Sequence, residues 1–99
     1  MVKMNESPAF DYAKYGALLR LERTRLGYRK ADVFIRHFIK TTGMHMSKDI
    51  LHKIETGATR VRLDMYCALN LALDRPAFDD WIAKQCVPDE WTRLEDLFD

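Results

Sequence analysis

The 99-residue sequence predicts an all-α protein: a compact bundle of about five helices, with an amphipathic segment at its C-terminus. Three observations carry that prediction. Apolar residues recur at three- and four-residue spacing along most of the chain, and no run alternates with the period of two that a half-buried strand requires. Gly27, Gly43, Gly57 and the pairs Arg75-Pro76 and Val87-Pro88 fall between the periodic stretches, where helices stop. The chain is long enough for one hydrophobic core and one small domain.

Residues 1–9 are polar, contain Pro8 and are expected to form a loose N-terminal arm. The first helix is expected from Phe10 to Leu26, with Asp11 as its N-cap. Tyr12, Tyr15, Leu18, Leu19 and Leu26 make its apolar stripe, and Arg20, Glu22, Arg23 and Arg25 lie mostly off it. Gly16 inside this helix costs about 1 kcal/mol against Ala, so its presence predicts a close approach by another helix. The second helix runs from Arg29 to about Thr41, with Val33, Phe34, His37 and Phe38 on its apolar face and Ile35 and Ile39 widening it.

The third helix, Met46 to Gly57, has both ends marked. Ser47 can cap its N-terminus through the side-chain oxygen, and Gly57 suits the left-handed residue after its last turn. Leu51 and Ile54 share one face with Ile50 and Met46, while Lys48, Asp49, His52 and Lys53 share the other. A helix this short is unstable alone, so a scaffold must hold it and its polar face must meet water or a partner.

A short basic loop, Ala58 to Arg62, leads to a fourth helix over Leu63 to Leu73. Leu63, Tyr66, Cys67, Leu69 or Asn70, and Leu73 fit its period, and Cys67 is expected to be a small core residue. A fifth helix is expected from Pro76 to about Gln85, with Pro in the tolerated first turn and Asp79 and Asp80 near the positive end of the helix dipole. Residues 89–98 form the final amphipathic segment.

Charge divides the chain. Residues 1–75 hold 14 basic and 8 acidic residues, a balance of +6, whereas residues 76–99 hold 2 and 7, a balance of −5. A basic body favours phosphates through counterion release, and an acidic tail is expected to lie away from them. The organisation that follows is an arm (1–9), a helical body (10–75) and an acidic C-terminal helix and tail (76–99). No stretch reaches the length of a membrane span, and the N-terminus lacks a hydrophobic signal core. Cys67 and Cys86 are too few and too far apart for a disulfide framework or a zinc site. A cytoplasmic protein without cofactor or metal is expected.

Two helices joined by a turn, the second with a polar face starting at its N-terminus, make a helix-turn-helix, whose second helix is expected in the DNA major groove. Tyr15-Gly16-Ala17-Leu18-Leu19-Arg20 with Arg23, then Leu26-Gly27-Tyr28-Arg29-Lys30 with Val33, are followed by Met46-Ser47, Leu51, Ile54-Glu55 and Gly57. Leu63, Tyr66, Leu69, Ala72 and Leu73 complete the series. In these residues the stretch 15–74 resembles the Cro/phage-repressor class of helix-turn-helix domains, the XRE family. The cluster Ile54-Glu55-x-Gly57, correctly spaced on both sides, is its most specific part. The sequence departs from the family pattern in an extended second helix covering Ile35 to Lys40, in Lys30 where the family has Gln, in Phe34 where it has Ala, and in Val61 where it has Pro.

The resemblance implies a lambda repressor-like fold and a sequence-specific regulator of transcription, of bacterial or phage type, located with the nucleoid in the cytoplasm. It places Lys48, Asp49, His52 and Lys53 at base-reading positions, where Lys48 can reach guanine O6 and N7 and Asp49 can accept from cytosine N4. Arg29, Lys30, Ser47, Thr59, Arg60 and Arg62 are expected at phosphates. Glu55 is expected to form a structural ion pair with Arg23 or Arg20, and Arg23 is the first choice.

Such domains commonly pair to read a palindrome, so double-stranded DNA and a second copy of the chain are the expected partners. Phe78, Trp81, Ile82, Trp91, Leu94, Leu97 and Phe98 supply the expected dimer interface. They supply alternatively a docking surface for a protein partner, as in an antitoxin-like or phage regulatory protein. An enzyme is the remaining class. His37, His45 and His52 lack His-x-x-x-His spacing, no Cys-x-x-Cys or Gly-rich phosphate loop occurs, and the carboxylates gather in the tail, so no catalytic residue is expected.

Overall fold

The Asp11 carboxylate accepts the N–H of Lys14 at 2.9 Å and so starts the first helix, α1 (Tyr12–Arg25). That bond satisfies one of the donors that an α-helix leaves open at its N-terminus. The structure, a computed structural model, describes residues 9–75 and 85–88. Among these residues there are four helices and no strand. Tyr15, Gly16 and Leu19 form the buried stripe of α1. Leu26, expected on that stripe, is instead exposed, because the helix ends at Arg25 and Leu26 lies in the turn beyond it.

The second helix, α2 (Ala31–Thr42), closes at Gly43, whose N–H donates to the Ile39 carbonyl at 2.8 Å. Phe34, Ile35 and Phe38 are buried. Val33 and Ile39, expected on the apolar face, are exposed. They stand one residue, or 100°, outside the Phe34–Phe38 axis, which is the line that meets the rest of the bundle. His37 is half-buried: its Nε2 lies 2.7 Å from the Ala72 carbonyl oxygen, and its ring stacks on Tyr28 with centroids 4.7 Å apart.

Residues 43–47 lead to α3 (Lys48–Thr56). Ser47 Oγ accepts the N–H of Ile50 at 3.1 Å, and Gly57 ends the helix with φ of +77°. Only glycine takes that conformation without strain, and here space requires it too. A Cβ on Gly57 would sit 2.6 Å from the Ala13 Cα. Gly16 answers the same contact from the other side, since a Cβ there would overlap the carbonyl oxygens of Ile54 and Glu55. Two glycines thus let α1 and α3 pack backbone to backbone.

The fourth helix, α4 (Leu63–Ala72), packs on α2 through Ala68, Leu69 and Ala72, with Leu73 just beyond its end. Leu63, expected to face the core, is 64 % exposed, and Leu71 is 59 % exposed. Cys67 is half-buried and not the core residue expected. The reason is geometric: Leu63, Cys67 and Leu71 recur every four residues and share one side of α4, away from the side that carries Leu69 and Ala72.

Tyr15, Leu19, Phe34, Phe38, Leu51, Ile54 and Leu69 form the centre of one core, each buried side chain contributing about 1.5–3 kcal/mol. Cys86 joins it from beyond α4, and its carbonyl accepts the Asp11 N–H at 3.0 Å. The expected arm except Ala9, the fifth helix over Pro76–Gln85 except its end, and the amphipathic segment lie outside the described residues. No helix among the described residues is long and apolar enough to cross a membrane.

Candidate nucleic-acid interface

Arg23 near the end of α1 holds three parts of the chain together. Its Nε donates to Glu55 Oε2 at 2.8 Å and its Nη2 to Glu55 Oε1 at 3.2 Å. Its Nη1 donates to the carbonyls of Tyr28 and Arg29, at 2.6 and 2.8 Å. The planar guanidinium suits this task, because its donors fork toward a carboxylate while one nitrogen remains for the α1–α2 turn. The two side chains are only 6 % and 10 % exposed. The pair expected from the resemblance is therefore formed, with Arg23 and not Arg20 as the partner, and it sets the angle of α3 against the turn before α2.

A second carboxylate, missed in the sequence, ties α1 to the residue Arg75 after α4. Glu22 pairs with Arg25 and with Arg75 Nη1, the latter at 3.2 Å. The Arg25 hydrogen bond holds the Glu22 carboxyl below its usual range, against the opposing effect of burial. The Cys86 thiol is pushed up by its burial, with the Asp11 charge adding to the effect.

With α3 so fixed, Leu51 and Ile54 are buried and Lys48, Asp49, His52 and Lys53 are all exposed. The four candidate base-reading residues therefore share one solvent-facing surface. Three of them are already engaged. Lys48 Nζ lies 2.9 Å from Asp32 Oδ1 on α2, and Lys53 Nζ lies 3.1 Å from Asp49 Oδ2 one turn earlier. Asp32 was not singled out in the sequence, since nothing in its local pattern marks a residue that reaches the next helix.

The candidate phosphate contacts fall in the segments before α2 and on either side of α3 in the chain. Arg29 and Lys30 are exposed immediately before α2, and the Arg29 carbonyl shares Arg23 with Glu55. Ser47 is half-buried, and its oxygen is engaged in the cap of α3. Thr59, Arg60 and Arg62 are exposed in the loop after α3. Arg62 Nη2 lies 2.6 Å from Asp64 Oδ2, a bond that holds the Asp64 carboxyl below its usual range. Among the described residues no carboxylate pairs with Arg29, Lys30 or Arg60. An open groove of about 200 Å³ lies between this loop, α3 and α4, with Met44, Ile50, Ile54 and Met65 in its wall.

Phe78, Trp81, Ile82, Trp91, Leu94, Leu97 and Phe98, the expected dimer or partner surface, lie outside the described residues. Among the described residues no group of three or more His, Cys, Asp and Glu side chains is arranged to hold a metal ion. Compared with protein-family models, with curated proteins and with solved structures, the chain matches none of them.

Proposed function

We propose that this protein is a sequence-specific, double-stranded DNA-binding regulator of transcription, in which α2 and α3 serve as a helix-turn-helix and α3 enters the major groove. The observation that carries the proposal is the state of α3. Leu51 and Ile54 are buried, its far end is locked to α1 through Glu55 and Arg23, and Lys48, Asp49, His52 and Lys53 all face solvent. A helix of nine residues contributes little stability of its own. Holding it so firmly with a polar face outward suits presentation to a partner whose surface is also polar.

The width of the major groove admits one α-helix. Lys48, Asp49, His52 and Lys53 are the base-reading residues, and Arg29, Lys30, Thr59, Arg60 and Arg62 hold phosphates on either side. The protein acts as a homodimer on a palindrome and represses by occluding the promoter. Its role is binding and not catalysis.

Selection of bound duplexes from random DNA at stated salt tests this. The expected result is enrichment of an inverted repeat whose half-sites are about 34 Å apart. Recovery of no preferred sequence refutes the proposal.

A further inference from the structure

One side of α4 carries an apolar stripe that the core does not use. Leu63 and Leu71 are 64 % and 59 % exposed, and half-buried Cys67 lies between them. A single exposed leucine is ordinary on a protein surface. Two leucines aligned with a thiol on one rigid helix form a contiguous patch, which marks a contact with another molecule.

The stripe is symmetrical about Cys67, with one leucine a turn before it and one a turn after. An isologous contact needs that pattern: the first residue meets the third of a second copy, and the middle one meets itself. The stripe follows the i, i+4 ridge of the helix. Two such ridges pack at a crossing of about −50° with axes about 8–10 Å apart. Cys67 is smaller than either leucine and stands where the two axes come closest. Charge sets the direction. Arg60 and Arg62 are exposed before α4, at the positive end of its dipole, and Asp74 is exposed just past its negative end. Asp64 neutralises Arg62, which leaves Arg60. Reversed copies bring Asp74 toward the partner's Arg60, and neither residue has an ion-pair partner among the described residues. Copies running the same way would set like ends together.

We propose that a second copy of this chain docks on the Leu63–Cys67–Leu71 stripe of α4 in the reversed direction, with Cys67 on the two-fold axis. The contact is one helix wide and smaller than the roughly 800 Å² per partner of stable complexes. The dimer is therefore weak when free and is reinforced when both copies are held on adjoining sites. As the pairing of palindrome-reading copies it rests on the proposed function. As a contact between copies it is independent of DNA, and it differs from the C-terminal surface expected from the sequence.

The test uses the full chain without DNA. Sedimentation from about 1 μM to about 1 mM is expected to show mass moving from one copy toward two. A short bis-maleimide is expected to link the dimer through Cys67, and Cys67→Ser should abolish the product, since Cys86 is buried. Leu71→Glu enters a two-fold contact twice and should raise the dissociation constant at least about tenfold with little change in Tm. Direction is read in a Cys67→Ser background. There Leu63→Cys and Leu71→Cys proteins should link to each other when mixed and neither to itself, because identical positions stand about 12 Å apart along the helix. Self-linking by either overturns the reversed pairing. A chain that stays monomeric overturns the inference. Rapid reaction of Cys67 with a simple maleimide would then leave the stripe to a different protein, and slow reaction would mean that residues 76–84 of the same chain cover it. A dimer indifferent to Leu71→Glu overturns the inference too. A monomer that selects a preferred duplex leaves the proposed function standing, whereas a Cys67-linked dimer that selects none overturns that function and keeps this contact.

Discussion

Arg23 and Glu55 are 32 residues apart in sequence and meet in a two-point ion pair, Nε to Oε2 at 2.8 Å and Nη2 to Oε1 at 3.2 Å. Both side chains are nearly enclosed, and the same guanidinium closes the turn between α1 and α2. Removing one partner of such a pair leaves the other charge in a poorly solvated place. Glu55→Ala is expected to destabilise the fold by about 3–5 kcal/mol and to weaken DNA binding with it. Thermal unfolding of the variant checks this, and an unchanged Tm would count against the structural role.

The contact between α1 and α3 leads to a second expectation. Alanine ordinarily improves a helix over glycine by about 1 kcal/mol, so Gly16→Ala would stabilise an isolated α1. In the protein its methyl group meets the carbonyl oxygens of Ile54 and Glu55, which belong to backbone and cannot rotate away. Overpacking of this kind costs about 1–3 kcal/mol. Urea denaturation should show net destabilisation, and a rise in the midpoint would mean that the helices separate without penalty.

Acid should release the corner built on Glu22. Its folded carboxyl is held below the ordinary value of 4.5 by hydrogen bonding to Arg25. The folded state therefore binds that proton less readily than the unfolded chain. The stabilisation is present above pH 4.5 and is lost as pH falls through the depressed value. Glu22→Gln, which cannot ionise, should show a smaller fall in Tm between neutral and acid pH than the wild type. Parallel acid profiles would remove Glu22 from the account.

Base reading and phosphate holding should separate by mutation. Lys48→Ala is expected to relax the sequence preference at one position of each half-site. Arg60→Ala, at a residue without a carboxylate partner among those described, should weaken all DNA alike and flatten the salt slope by about one unit. Binding to a panel of single-base variants of the selected duplex distinguishes the two, and an unaltered preference in Lys48→Ala refutes its assignment.

What was legible in the sequence was mostly local chemistry. Asp11 and Ser47 cap helices, and Gly43 and Gly57 end them, because each device acts within a turn of its own position. Gly16 was informative for the opposite reason. Its cost to the helix has no local return, so it pointed to a neighbour, and the neighbour is the end of α3. The partner of Glu55 was legible only through resemblance to a family, since nothing near either residue specifies the other. The polar face of α3 could be drawn from spacing alone, but not the engagement of Lys48 by Asp32, which depends on where α2 begins.

Among the described residues, the order of amino acids was enough to show that the segments are helical, roughly where the four helices stop and which side of α3 is polar. These follow from backbone hydrogen bonding and from a period of 3.6 residues, both of which operate along the chain. Tertiary structure alone decided which side of α4 is covered. That helix is apolar on several sides: its period pointed to Leu63 and Cys67 together with Leu69 or Asn70 and Leu73, and the first two are not in the core. Contact with α2 made the choice, and the same kind of long-range contact set the pairing of charges across α2 and α3, because energies that depend on distance through space have no signature in the order of residues.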